Sequence, residues 1–214
     1  MTEILLIRHG ETAWNAERRL QGHLDVELNA EGERQAAALG EALRDEQLDA
    51  IFSSDLRRAL QTAQAIAATR EIAVQIDPAL RERCYGAFEG LRYADISIQY
   101  PDAYAAMQLR DMDLRYPPGL NAAETLREFS TRAVAAITAL VAGRAYRKLA
   151  IVTHGGVLEC INRAARGLDF SRARDFDIPN AGINRLRWNG SALEICEWGN
   201  VAHLSSEALD EVAR

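Results

Sequence analysis

The sequence predicts an α/β fold in which crossover helices pack on a mostly parallel sheet. Short apolar runs of strand length alternate with longer segments in which apolar residues recur at helical spacing. The 214 residues, of which 48% are hydrophobic and 26% charged, suffice for one sizeable core and have the composition of a folded globular protein. We therefore expect an α/β architecture, since this alternation is typical of parallel strands joined by helices.

Four apolar segments have the length and composition of buried strands. They are residues 3–7, 50–54, 73–77 and 148–153. Near the C-terminus two further strand-like runs, 183–188 and 192–198, are separated by Asn189-Gly190. Asn-Gly is the preferred pair for a tight type I′ turn, so these two runs predict a hairpin.

Helices are predicted between the strands, at residues 30–44, 55–68, 123–143 and 156–166. The first has Asn29 as its N-cap and Glu31 and Glu33 in its first turn, where acidic side chains interact favourably with the helix dipole. Three glycines and three prolines occur between residues 79 and 120, which predicts short helices and loops rather than a second domain. We expect a single domain spanning residues 1–214, with an irregular insert at about 84–120 that covers the functional site.

Charge and cysteine content exclude several function classes. The net charge of −6 provides no basic surface that would attract nucleic acid or anionic lipid, so neither is an expected partner. Cys84, Cys160 and Cys196 are odd in number and lack metal-ligand spacing, which argues against a disulfide framework and against a zinc site. The apolar run before Arg8 is too short for a leader or a membrane span. We expect a cytoplasmic protein.

Two histidines directly follow predicted strands. His9 comes after the first strand and Arg8, and His154 follows the strand at 148–153 and precedes Gly155 near a helix start. Parallel strands present their carboxyl ends at one edge of a sheet, and a helix N-terminus favours an anion. The two histidines are therefore expected to face one anionic ligand.

Arg57 and Arg58 lie in the first turn of a helix that follows a third strand. Positive charge at a helix N-terminus opposes the helix dipole, and a bound anion would remove that penalty. Taken singly, these residues have simpler explanations, because a strand-end histidine is usually structural and paired arginines are usually a solvated face. Glu82 could likewise form a surface ion pair with Arg81 or Arg83. Spacing alone leaves both interpretations open.

Several motifs occur together in one order along the chain. They are RHGETAWN (8–15), RLQGHLDVELNAEGERQA (19–36), SSDLRRALQTA (53–63), LRERCYGAFEG (80–90), YPPGLNAAET (116–125) and VTHGG (152–156). In order and approximate spacing they resemble the histidine phosphatase superfamily, also called phosphoglycerate mutase-like, over most of the chain. This resemblance implies a three-layer α/β/α sandwich with a mostly parallel central sheet.

The resemblance also implies a role for each motif residue. His9 is the nucleophile that carries the phosphoryl group as a phosphohistidine, and Glu82 is the proton donor. The phosphoryl group is bound by Arg8, Arg58 and His154. Its shell is completed by Asn15, by the backbone around Gly22 and Gly155, and by Gln21 as a further candidate.

The chemistry of phosphoryl transfer needs these residue types. An imidazole attacks phosphorus only when it is neutral, so the negative charge of the phosphoryl oxygens must be neutralised without protonation of His9. Arginines suit this task because they are permanently charged and each can bond two oxygens. A proton from Glu82 for the leaving alkoxide would contribute roughly 10²–10⁴-fold in rate. No metal-ligand set or nucleotide-binding motif occurs in the sequence, and neither a metal nor a cofactor is expected.

Three functions stay open. The first is a phosphatase for a small phosphorylated metabolite, such as a sugar phosphate, phosphoglycerate, α-ribazole phosphate or phosphoserine. The second is a mutase-type phosphoryl transferase, and the third is a phosphate-binding protein without turnover. Mutases of the family carry a longer insert with paired arginines and a lysine. Residues 91–119 contain only the isolated cations Arg92, Arg110 and Arg115, with Tyr93 near the expected lysine, which favours hydrolysis.

A few residues stay without an assigned role. His23 borders the pocket or shapes a turn, His203 is expected to be structural, and Trp14 and Tyr85 are candidates for the cleft walls. The Asn180-Ala181 segment differs among branches of the family, and the sequence does not explain what this segment selects. A homodimer through the helix at 123–143 or the edge of the C-terminal hairpin is a further option.

Overall fold

A six-stranded sheet forms the centre of the computed structural model, which describes residues 1–143 and 146–210. The strands are β1 (Thr2–Arg8), β2 (Ala50–Ser53), β3 (Val74–Ile76), β4 (Lys148–Thr153), β5 (Ile183–Trp188) and β6 (Leu193–Asn200). Their order across the sheet is β3-β2-β4-β1-β5-β6. The first four in this order pair in parallel and the last two pair antiparallel. The predicted mostly parallel sheet and C-terminal hairpin are confirmed.

The two described ranges contain seven helices. They are α1 (Ala13–Ala16), α2 (Ala30–Ala42), α3 (Arg57–Ala67), α4 (Tyr93–Gln99), α5 (Pro101–Gln108), α6 (Leu126–Ala142) and α7 (Gly155–Arg166). Ile4 and Leu6 of β1 belong to a core formed with α6 and α7, whereas the alternate residues Leu5 and Ile7 belong to a core formed with α2 and α3. The predicted three-layer α/β/α sandwich is confirmed.

Predicted helix boundaries agree with the structure to within three residues, and specific hydrogen bonds explain the differences at two helix starts. α6 begins at Leu126 because Thr125 and Glu128 form a capping box. In it, Thr125 Oγ1 accepts a hydrogen bond from Glu128 N at 3.1 Å, and the Glu128 carboxylate accepts one from Thr125 N at 2.9 Å. α3 begins at Arg57, whose N–H donates to the carboxylate of Asp25 at 2.7 Å. The four-residue α1 is not predicted, because it is too short to give a periodic pattern.

The segment between β3 and α6 contains short helices and loops, as the sequence predicts. Two 3₁₀ turns, Pro78–Leu80 and Gly86–Phe88, precede α4 and α5. A small apolar cluster holds this segment together, with the rings of Phe88 and Tyr116 centred 4.7 Å apart. Within the two described ranges, no helix combines the length and the apolar composition needed to cross a membrane.

Close packing of α2 against the turn after β1 requires glycine on both sides. Asn29 caps α2 as predicted, by accepting a hydrogen bond from Gly32 N at 2.8 Å. A Cβ atom at position 32 would lie 2.0 Å from the carbonyl oxygen of Glu11, and a Cβ atom at position 10 would lie 2.6 Å from the carbonyl oxygen of Gly32. Gly10 and Gly32 therefore set how closely α2 approaches the segment that carries His9.

We expect Gly32→Ala to destabilise the protein, although alanine is the better helix former by about 1 kcal/mol. The added methyl group meets backbone rather than a flexible side chain, so the helix must shift, and such overpacking costs roughly 1–3 kcal/mol. Urea unfolding followed by circular dichroism measures the change. Ala37→Gly, at an exposed position of α2, is the control and should lose about 1 kcal/mol from propensity alone. A Gly32→Ala protein more stable than the native one would contradict this packing.

Candidate active site

β1 and β4 end side by side, and each is followed by a histidine. Arg8 is paired with Thr153, and the backbone N–H of His9 donates to the Thr153 carbonyl at 3.0 Å. The ring centroids of His9 and His154 lie 5.2 Å apart, with the ring planes inclined by 61°. The structure thus brings the two histidines together at one edge of the sheet.

The imidazole of His9 is buried and is held in one tautomer. Its Nδ1 atom lies 2.7 Å from the carbonyl oxygen of Gly10. A carbonyl oxygen can only accept a hydrogen bond, so Nδ1 carries the proton and Nε2 keeps its lone pair. Burial, followed by the positive charges of Arg58 and Arg8, lowers the pKa of His9 well below its ordinary value. His9 is therefore neutral at neutral pH, as a nucleophilic imidazole must be.

A pocket that is open to solvent lies at this edge of the sheet, with about 460 Å³ of empty space that includes the solvent at its opening. Of the predicted site residues, those that line it are Arg8, His9, Asn15, Gln21, Gly22, Arg58 and Glu82, together with the candidate wall residues Trp14 and Tyr85. His154 and Gly155, which are buried at the N-terminus of α7, are not among the lining residues.

Of the arginine pair at the start of α3, only Arg58 reaches the pocket. Its guanidinium group is buried and is oriented by two backbone carbonyls, Leu24 O at 3.0 Å and Gly22 O at 2.8 Å. Arg57 is exposed and pairs with Glu27. The solvated-face explanation of the pair therefore holds for Arg57 and is wrong for Arg58.

Arg8 is anchored by segments that lie far along the chain. Its Nη1 atom donates to the carbonyl oxygens of Ile178 at 2.6 Å and Leu209 at 3.2 Å, and Asp210 lines the pocket beside it. The two bonds span 170 and 201 positions of sequence. No local pattern could reveal them, and the sequence did not single out Leu209 or Asp210.

The Asn180-Ala181 segment holds the backbone of the residue proposed as nucleophile. The carbonyl oxygen of His9 accepts hydrogen bonds from Asn180 Nδ2 at 3.0 Å and from Ala181 N at 3.2 Å. Ala181 has a φ of 54°, a left-handed conformation that residues other than glycine adopt at a cost. This segment, to which the sequence gave no role, fixes the turn that carries His9.

Glu82 is buried, and its carboxylate is oriented by backbone donors. Oε1 accepts a hydrogen bond from Arg83 N at 2.7 Å, and Oε2 accepts one from Gly156 N at 2.9 Å. A Cβ atom at position 156 would lie 2.2 Å from Oε1, so this approach requires glycine. The alternative of a surface ion pair is wrong, since Arg81 pairs with Asp55 and the Arg83 guanidinium donates to backbone carbonyls.

Arg132 of α6 holds the loop that carries Glu82. Its guanidinium donates to three carbonyl oxygens of the loop 79–82 at 2.9, 2.9 and 3.1 Å, and it pairs with Glu124 at 2.7 Å. His23 contributes to the same loop, because its Nε2 atom lies 2.8 Å from the carbonyl oxygen of Glu82 and so donates to it. His23 therefore supports Glu82 through the backbone, and Arg132 is a positioning residue that the sequence did not reveal.

His154 is fully buried beside His9, and burial, followed by the charge of Arg58, lowers its pKa well below the ordinary value. Within residues 1–143 and 146–210, neither of its ring nitrogens has a hydrogen-bond partner. A buried polar atom without a partner costs about 1–3 kcal/mol. A neutral imidazole with unbonded nitrogens at this position is suited to donate a hydrogen bond to a bound anion.

Of the two remaining candidate residues, one lines the pocket and the other lies outside it. Tyr93 lines the pocket, whereas His203 does not. In the part of the chain that the structure describes, no group of three or more His, Cys, Asp or Glu side chains is arranged to hold a metal ion.

This chain is similar in sequence to known proteins along nearly its whole length. The profile of the histidine phosphatase superfamily (branch 1) matches residues 4–201. The chain is 40% identical to phosphoglycerate mutase-like protein 4 of Arabidopsis thaliana, over 94% of this chain and 86% of that protein. It is 36% identical to a metal-independent phosphoserine phosphatase of the same plant, over 96% of this chain and 84% of that protein.

Solved structures share the fold as well. The α-ribazole phosphatase from Shigella flexneri aligns with a TM-score of 0.82 and 27% sequence identity, over 93% of this chain and 96% of that one. The matching family model runs from within β1 to the end of β6 and includes both histidines at the sheet edge. The chain therefore belongs to the histidine phosphatase superfamily.

Proposed function

We propose that the protein is a phosphomonoester hydrolase that acts on a small phosphorylated metabolite through a phosphohistidine on Nε2 of His9. The observation that carries this proposal is a neutral His9 with its Nε2 lone pair unprotonated, in a pocket that also contains the buried cations Arg8 and Arg58. Such a site binds an anion and attacks it without first losing its nucleophile to protonation.

In the first step Nε2 of His9 attacks phosphorus, the N–P bond forms and the bond to the ester oxygen breaks. Arg8, Arg58 and His154 bind the phosphoryl oxygens, and Glu82 gives its proton to the leaving alkoxide. In the second step water attacks the phosphohistidine, the Glu82 carboxylate takes the proton of that water, the N–P bond breaks, and inorganic phosphate leaves His9 in its neutral form. Asn15, Gln21, Gly22 and Gly155 complete the shell around the phosphoryl group.

Charge pairing favours hydrolysis over the mutase alternative. A mutase must hold a sugar acid in the site while the phosphoryl group returns to it. The isolated cations of residues 91–119 are all engaged, since Arg92, Arg110 and Arg115 each pair with a carboxylate, at 3.5, 2.6 and 2.5 Å. These three side chains therefore do not supply the cationic acceptor site that the mutases have in this segment, which supports hydrolysis.

Charge, free thiols and topology bear on the domain extent, cellular compartment and partners of the protein. We propose one domain over residues 1–214, in which the insert at about 84–120 covers the pocket. The free thiols of Cys84, Cys160 and Cys196 suit the reducing cytoplasm. The net charge of −6 argues against nucleic acid as a partner. A homodimer would use α6 or the edge strand β6.

Release of inorganic phosphate from p-nitrophenyl phosphate and small phosphomonoesters, with excess EDTA present, tests the function. We expect turnover by the native protein and none by His9→Ala. Arg58→Ala should lose at least about 10²-fold in kcat, because it removes a donor to the developing charge. Arg57→Ala is the matched control, since its exposed ion pair lies outside the pocket, and should stay within about fivefold of the native rate. Turnover by His9→Ala, or equal losses at the two arginines, would contradict the proposal.

The protonation state of His9 can be measured directly by long-range ¹H–¹⁵N spectra of protein labelled at histidine, with His9→Gln for assignment. Because burial and the arginines lower its pKa, the neutral ring should persist at and below pH 6, where a free imidazole with a pKa of about 6.5 is mostly protonated. The proton should sit on Nδ1. An imidazolium at pH 6.5, or a neutral ring with its proton on Nε2, would overturn the assignment of Nε2 as the attacking atom.

Arg132→Met should weaken proton donation by Glu82, because it frees the loop 79–82. The value of kcat/KM covers only the steps up to phosphohistidine formation, and p-nitrophenolate leaves without needing a proton. The loss in kcat/KM should therefore be about tenfold larger for an alkyl phosphate than for p-nitrophenyl phosphate. Arg127→Met, which removes an exposed ion pair with Asp113 on the same helix, is the control. Equal losses for both esters would show that Arg132 does not act through Glu82.

A further inference from the structure

Four arginines line the pocket, and Arg18 differs from the other three in its surroundings. Arg8 and Arg58 are buried and donate to backbone carbonyls. Arg19 pairs with Glu17 at 2.8 Å. Arg18 is exposed, and its guanidinium has neither an ion pair nor a side-chain hydrogen bond with any part of the chain that the structure describes. Among the described residues no carboxylate pairs with this cation of the pocket lining.

The backbone of Arg18 is held in a conformation that disfavours arginine. Its φ is 53°, in the left-handed region, and it follows Glu17, the C-cap of α1. This is the position at which helices most often end in glycine, and a side chain there costs roughly 1–2 kcal/mol. Backbone bonds from Arg18 N to Asn15 O at 3.0 Å and from Tyr93 N to Arg18 O at 3.4 Å hold the turn. Glycine or asparagine at this position would give the more stable backbone, so we infer that the arginine side chain has a function other than stabilising the fold.

The position of Arg18 relative to the buried cations indicates that use. Arg8 and Arg58 are each 1% exposed and line the pocket together with His9, where the phosphoryl group is proposed to bind. Arg18 lies in the lining of the same pocket but is exposed to solvent. The organic part of a phosphomonoester bound at His9 would therefore lie in a pocket whose wall includes an exposed cation suited to a second negative group.

We propose that Arg18 is a specificity-determining residue that binds a second anionic group of the substrate, a carboxylate or a further phosphate. The proposal rests on the phosphatase function above and defines its substrate class. An exposed guanidinium binds such a group with the modest strength of a surface ion pair, strengthened by its hydrogen bonds. A preference of about 5- to 10-fold for substrates that carry the second charge is expected.

Matched substrate pairs test the proposal. Phosphoserine and phosphoethanolamine differ by one carboxylate, and fructose 1,6-bisphosphate and fructose 6-phosphate differ by one phosphate. Arg18→Gly and Arg18→Asn should lower kcat/KM about 5- to 10-fold for the preferred doubly anionic substrate, through KM. Activity on the singly anionic partner and on p-nitrophenyl phosphate should stay unchanged. The pair that shows the loss identifies the second group as carboxylate or phosphate.

Stability separates this role from a structural one. Because glycine and asparagine relieve the left-handed backbone, both variants should unfold at a temperature equal to or above that of the native protein. Arg187→Ala removes one exposed arginine from β5, outside this pocket, and controls for net charge. It should leave both substrate preferences unchanged. Equal losses on all substrates, unaltered preferences in the Arg18 variants, or the same shift in Arg187→Ala would overturn the proposal.

Binding keeps the proposal testable if the protein turns over none of these esters. Calorimetry with His9→Ala and with His9→Ala/Arg18→Gly measures the affinity for each substrate pair without hydrolysis. A preference for the doubly anionic ligand that Arg18→Gly removes would support the role of Arg18 even where phosphate release fails. The same affinities in both proteins would reject it, whatever the outcome for the phosphatase function.

Discussion

The parallel pairing of β1 with β4 is the constraint on which the site depends. Adjacent strands lie about 4.8 Å apart, and the ring centroids of the histidines that follow these two strands are separated by 5.2 Å. The hydrogen bond from His9 N to Thr153 O extends the ladder one residue past the end of β1. The distance between the two imidazoles is therefore set by the sheet, and loops need only orient the rings.

One set of charges serves two purposes at this edge. Arg58 and Arg8 are cations suited to phosphoryl oxygens, and they also lower the pKa of His9 and keep its ring neutral. Backbone carbonyls of Gly22, Leu24 and Ile178 fix both guanidinium groups before any ligand binds. Groups that are already oriented need little reorganisation when charge develops, which is the main source of electrostatic catalysis.

The parts of this arrangement that local sequence encodes were predictable, and the parts that depend on distant contacts were not. An apolar run of strand length predicts where a strand ends, so the strand-end positions of His9 and His154 follow from sequence. The capping box that starts α6 was also local, since Thr125 and Glu128 have the required spacing, although apolar periodicity placed the start three residues earlier.

The hydrogen bonds that support the site join residues that lie far apart in sequence. Arg132 reaches Glu82 across 50 positions, Asn180 reaches His9 across 171, and Leu209 reaches Arg8 across 201. Periodicity contains no information on such contacts, because tertiary packing sets them. Arg18 was missed for another reason, since its left-handed backbone is a property of the fold and not of its residue type.

The proposed mechanism requires a covalent bond between phosphorus and Nε2 of His9. Rapid quenching of Glu82→Gln protein with p-nitrophenyl phosphate, followed by ³¹P NMR and peptide mass spectrometry, tests it most directly. Attack on this ester needs no proton from position 82, whereas the water step needs the carboxylate at position 82 as a base, so the phosphoenzyme should accumulate. We expect an acid-labile phosphoryl group on Nε2 of His9. Phosphorus on Nδ1 or on another residue, or turnover without a phosphoenzyme, would contradict it.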